Sequence, residues 1–108
     1  MGDAPQGVAF DGANIWVANQ YSGNVTKLRA SDGALLGTFT VGFHPQGVAF
    51  DGASIWVANA ASDTVTKLRA SDGALQGNFR VGSYPFDVAF DGANIWVANA
   101  LSDTVSKL

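Results

Sequence analysis

Chemistry on this chain would have to come from few side chains. There is one histidine, His44, and all nine acidic residues are aspartate. Histidine is the side chain type suited to proton transfer at neutral pH, so general acid–base work would begin at His44. Such a residue needs a positioned partner, and Asp87 is the nearest candidate by its place in the repeat described below. Tyr84 occupies the position of His44 in the next copy, and His44 reads most simply as a loop residue before Pro45. Asp11, Asp51 and Asp91 recur at one position and could be read as a circle of cation ligands. Calcium, however, needs about six to eight oxygens converging at about 2.3–2.6 Å. An aspartate bonding its own backbone in an Asp-Gly turn is the simpler account, and it serves Asp32 and Asp72 as well. Trp16, Trp56 and Trp96 could stack on a sugar or a base, but their fixed place within an apolar run favours packing. No cysteine is present, which removes disulfides, thiolate zinc sites and cysteine nucleophiles. No phosphate-cradling glycine loop or nucleophile elbow occurs. The expectation is no catalytic set, no metal and no cofactor.

Composition sets the class. Hydrophobic residues make up 47% and charged residues 14% of 108, which excludes a disordered chain. The net charge is −3, so the chain lacks the basic footprint that neutralises phosphates, and neither nucleic acid nor an anionic membrane is an expected partner. No apolar run approaches the roughly 18 residues of a membrane span. Met1-Gly2 leads straight into repeated sequence, so no signal peptide is expected. The chain is expected to be soluble, with its compartment left open.

The elements that must position any of these residues come from a repeat. Residues 5–44 align without a gap to 45–84 with 30 of 40 positions identical, and 85–108 match 45–68 at 19 of 24. A period near forty residues signals a solenoid or a propeller. No helical apolar spacing runs through the unit. Instead, short β-branched and aromatic runs alternate with Asp-Gly, Ser-Gly and Pro. In the first copy this predicts strands over 7–10, 15–19, 24–29 and about 35–41. Asp-Gly between such runs is a strong hairpin signal, so each copy reads as a four-stranded antiparallel meander. Ile15-Trp16-Val17-Ala18 is apolar on both sets of alternating side chains, and such a strand must be covered on both faces. Sheets stacked radially achieve this. The expected fold class is therefore all-β, with propeller blades at 5–44, 45–84 and 85–108 within one segment, 1–108. A β-solenoid is the alternative. Trp16, Trp56, Trp96, Phe10, Phe50 and Phe90 are the expected core. Lys27 and Arg29 place their strand nearer the rim.

The pattern P-x-G-V-A-F-D-G-A-N-I-W-V-A-N, followed by V-T-K-L, S-D-G and G-T-F-x-V-G, resembles the YVTN and NHL families of bacterial propeller repeats. Ile15-Trp16-Val17-Ala18-Asn19 stands where the Y-V-T-N signature would. The resemblance implies the propeller fold and leaves function open, since such repeats serve as sensors, scaffolds, binding platforms and occasionally enzymes. A streptogramin lyase type of activity depends on a metal and a catalytic histidine. With one histidine and no glutamate, that activity is not implied here.

Closure is the remaining expectation. Read as strands, the third copy lacks the outer strand of the other two, whereas propellers have about four to eight blades. Either the chain is a fragment of a longer propeller or it closes by self-association. Two copies in a head-to-tail ring would make six blades, with three-copy and domain-swapped rings as alternatives. Lys107 and Asp103 on the outer strand would discourage further pairing. Near-identical copies also fit recent duplication or engineering. The function expected is a non-catalytic, self-assembling scaffold. The alternative is a sensor that binds ligand or protein through the loops that vary between copies, where Tyr21, His44, Gln46, Tyr84, Phe86 and Asp87 fall.

Overall fold

The structure is a computed structural model and describes residues 4–108. Residues 1–3, on which the reading of a missing leader falls, lie outside the described residues. Eleven strands form three antiparallel sheets, and no helix occurs among the described residues. The first sheet is β1 (Pro5–Phe10), β2 (Asn14–Asn19), β3 (Asn24–Arg29) and β4 (Leu35–Thr40) in chain order. The second repeats it as β5 (Pro45–Phe50), β6 (Ser54–Asn59), β7 (Thr64–Arg69) and β8 (Leu75–Arg80). The third has β9 (Pro85–Phe90), β10 (Ile95–Asn99) and β11 (Thr104–Lys107). Each sheet is a meander because every connection is a tight turn or short loop, which joins only antiparallel neighbours.

Strand pairing sorts the side chains onto two faces. Val8, Val17 and Thr26 lie in register across the first sheet, and Ala9, Trp16 and Lys27 in the next register position. Successive positions point to opposite faces. The Ala9–Trp16 face, with Ala18 and Val25, packs on Val48, Ile55, Val57 and Leu68 of the second sheet. The same joint recurs between Trp56 and Val65 and the third sheet's Val88, Ile95 and Val97. The sheets are thus propeller blades, with β1 against β5 and β5 against β9 at the inner edge. Close approach there needs glycine. A Cβ on Gly7 would run into the Gln46 carbonyl oxygen, and one on Gly47 would lie 2.8 Å from the Asp87 Cα.

Trp16 and Trp56 are core residues, 0% and 8% exposed. Phe50 is partly buried. Phe10 and Trp96 depart from the expected core, at 57% and 39% exposed. Each lies on a blade face that no other blade covers among the described residues. Phe90 is 37% exposed, since it ends β9 beside the turn at the margin of its joint. Lys27 also departs from its expected rim place and is buried in the joint between the first two blades.

Candidate functional site

The blades have two ends. One carries the β1–β2 and β3–β4 turns and their copies; the other carries the β2–β3 loops and the blade connectors.

At the turn end the Asp-Gly turns are built as their chemistry dictates. Asp11 Oδ1 accepts the N–H of Ala13 at 3.0 Å and of Asn14 at 2.7 Å, and Gly12 takes φ 98° in the left-handed region. The second carboxylate oxygen, Oδ2, accepts the Trp16 indole N–H at 2.8 Å. Asp51–Trp56 and Asp91–Trp96 repeat this at 2.8 and 2.7 Å. A lysine then lies over each indole ring: Lys27 at 5.2 Å, Lys67 at 5.0 Å and Lys107 at 5.6 Å. Partial burial works against ionisation of Asp11 and Asp51, yet the indole bond, the two turn N–H groups and the nearby lysine together lower both pKa values. Asp91 is pushed down to about 2, chiefly by the Trp96 indole and then by the Asn94 and Ala93 N–H groups. Asp32 and Asp72 cap the other turn through the N–H of Ala34 and Ala74, each at 3.0 Å, and are also lowered. These aspartates hold turns and tryptophans. The residues near them form no circle of converging oxygens, and the described residues hold no group of three or more potential metal ligands.

Between the first two blades at this end lies a cleft of about 520 Å³ lined by Asp11, Asn14, Lys27, Phe50 and Arg69–Ser71. Lys27 crosses it. Its Nζ donates to the Ala70 carbonyl at 2.9 Å and lies 3.4 Å from that of Ser71. The lysine was legible as a repeated residue, but its reach to the next blade was not, because the acceptors are main-chain atoms some forty residues away.

At the loop end the predicted residues divide into two groups. Tyr21 and His44 meet edge-on with ring centroids 5.7 Å apart. With Phe43 they line a pocket of about 290 Å³. Gln46, Phe86 and Asp87 instead share a groove of about 250 Å³ along the inner strands, with Gln6, Gly7 and Gly47. Asp87 Oδ1 accepts the Val88 N–H at 2.9 Å, so the partner suggested for His44 is engaged with its own backbone. Tyr84 lines neither pocket. It does share a conformation with His44: both have positive φ, 55° and 52°, immediately before a proline. This is a costly backbone state for a non-glycine residue. It is held by main-chain bonds from Ala60 to His44 and from Ala100 to Tyr84, both 3.0 Å. The Tyr84 N–H also bonds Asp63 Oδ1 at 2.9 Å. No helix is long and apolar enough to cross a membrane among the described residues.

No family model and no curated protein matches the sequence. Among solved structures the chain is similar to part of Kuenenia stuttgartiensis hydrazine synthase. The TM-score is 0.83 at 28% identity, over 88% of this chain and 29% of that one. It is similar in fold to virginiamycin B lyase from Staphylococcus aureus, with TM-score 0.75 and 14% identity over 96% and 40% of the two chains. Myxococcus xanthus glutaminyl cyclase gives TM-score 0.71 and 13% identity over 96% and 47%. The chain thus spans less than half the length of each. Fold and neighbours together define a β-propeller architecture. All three of those neighbours carry the names of enzymes, a property of those proteins.

Proposed function

We propose that this chain is a non-catalytic β-propeller scaffold of the YVTN/NHL repeat type that closes by head-to-tail self-association, two copies completing a six-bladed ring. One observation carries the reading. The face left open on the first blade, with Val8 and Phe10, has the residue types of the Val48–Phe50 face that the first blade already packs on. The face left open on the third, with Trp96, Ala98 and Val105, repeats Trp16, Ala18 and Val25. The two open faces are therefore the two halves of a joint the chain makes twice internally. Val8, Phe10, Trp96 and Val105 are 63%, 57%, 39% and 64% exposed. Full burial of such a side chain contributes about 1.5–3 kcal/mol, so covering four of them matters against a small domain's margin of about 5–15 kcal/mol. Sedimentation equilibrium should give a particle of two chains. A folded particle of 11.2 kDa, the mass of one chain, would sink the proposal.

A second reading, a ligand- or protein-binding part of a larger propeller, is favoured by the loop end. Tyr21 and His44 form an aromatic pair there, in one pocket with exposed Phe43. Titration with a panel of amino acids and short peptides, followed by the NMR signals of Tyr21 and His44, tests it. Saturable shifts confined to that end support binding; their absence removes the reading.

A further inference from the structure

The joint inside the chain shows which polar contact locks it. Lys27 projects from the Trp16 face, is only 8% exposed, and ends on the Ala70 and Ser71 carbonyls of the next blade. The aliphatic stem lies against the joint while the ammonium closes its turn end. A buried ammonium is tolerated only where acceptors meet it, and main-chain carbonyls at the start of a turn are well suited. Lys67 sits in the same pose over Trp56 at 5.0 Å, but among the described residues the third sheet has three strands and presents no turn equivalent to Ala70-Ser71. Lys107 stands over Trp96 at 5.6 Å on the open face of the third blade. Its complement exists on the opposite side of the molecule. Ala30-Ser31 repeats Ala70-Ser71 within an identical Arg-Ala-Ser-Asp-Gly-Ala-Leu segment, and both residues are exposed.

We infer that Lys107 is the clamp of the closing joint, its ammonium docking on the Ala30 and Ser31 carbonyls of a second copy of this chain as Lys27 docks on Ala70 and Ser71. This rests on the head-to-tail reading above and names the atoms that make it specific. The two other lysines of the set serve as internal controls. Lys27 acts within one chain, Lys67 faces no such turn among the described residues, and Lys107 acts only between chains.

The test is a dilution series followed by sedimentation for the unmodified chain, Lys107→Met and Lys67→Met. Methionine keeps an apolar stem over the tryptophan and removes the charge. Charge-assisted hydrogen bonds of this kind correspond to at least about a tenfold change in affinity, so Lys107→Met should raise the dissociation constant about tenfold or more while Lys67→Met leaves it unchanged. In addition, because the chain has no cysteine, a Ser31→Cys/Lys107→Cys double variant treated with a short bis-maleimide should give inter-chain crosslinks. Unchanged association of Lys107→Met together with no crosslink overturns the clamp while leaving self-association standing. A monomeric unmodified chain overturns both. Equal weakening by Lys67→Met overturns the assignment to Lys107. A three-copy ring that is weakened by Lys107→Met supports the clamp and corrects the copy number.

Discussion

Trp16, Trp56 and Trp96 each donate an indole N–H to an aspartate five residues earlier, and each carries a lysine on its ring face. The aspartate does two jobs: one oxygen closes the turn and the other fixes the indole. Protonation ends its role as a double acceptor, so the arrangement depends on pH in a definite sense. A carboxylate whose folded pKa is depressed contributes stability that is present above its unfolded value, near 3.8, and is lost as pH falls through the folded value. For Asp91 the folded value is about 2. Thermal stability should therefore be level down to about pH 4 and fall between about pH 4 and 2. Asp51→Asn should flatten that fall and cost about 1 kcal/mol at pH 7, below the usual 1.5–3 kcal/mol of a charged hydrogen bond because water reaches the carboxylate. Melting curves across the pH range check both. An unchanged acid slope in Asp51→Asn would mean that other groups control it. The exposed Arg29–Asp32 and Arg69–Asp72 pairs, at 3.1 and 2.9 Å, add little.

At the scale of the element, the inner strands carry a constraint that differs in kind from that of the turns. Gly33 takes φ 74° with open space around it. Gly7 has no such φ, but its missing side chain makes room for the Gln46 carbonyl. Gly33→Ala should therefore cost about 1 kcal/mol through backbone strain alone. Gly7→Ala should cost about 3 kcal/mol, the upper end for overpacking, since β1 and β5 must part. Urea unfolding of the two variants checks the ranking; equal costs would show that the strands do not stand this close. The joint also uses buried polar groups. Asn59 Nδ2 donates to Thr66 Oγ1 at 2.8 Å while its Oδ1 accepts the Gly42 N–H at 3.1 Å. That side chain ties the second blade to the connector that leads into it.

For the whole molecule, the inner edge bears on how tightly copies would close in the proposed ring. Position 87 is aspartate where the other two copies have Gly7 and Gly47. By analogy with Gly7 and Gly47, whose Cβ positions face the next blade's inner strand, a side chain there would hold the proposed closing joint further apart at the axis than the two internal ones. Asp87→Gly should remove that obstacle and lower the dissociation constant of the pair by about tenfold, read by the same dilution series. Unchanged or weaker association would show that the inner strands do not meet at the closing joint.

Much of the fold was written in the sequence. The forty-residue period, the Asp-Gly turns and the two-sided apolar strand at Ile15–Ala18 determine meanders that must stack, because period, turn chemistry and alternation are local properties. The same locality explains what stayed hidden. Trp16 and Trp96 stand in the same local sequence, yet one is buried and the other 39% exposed, since burial depends on whether a neighbouring blade lies against the face. Tyr21 and His44 were legible as variable loop residues, but their pairing, and the separate groove of Gln46, Phe86 and Asp87, come from how connectors fold back onto loops. The Lys27 contact needed main-chain atoms from another blade. By itself the sequence determined the blade; only the tertiary structure decided which copies of its faces are joined and which stand open, because that is settled by contacts between repeats and not within them.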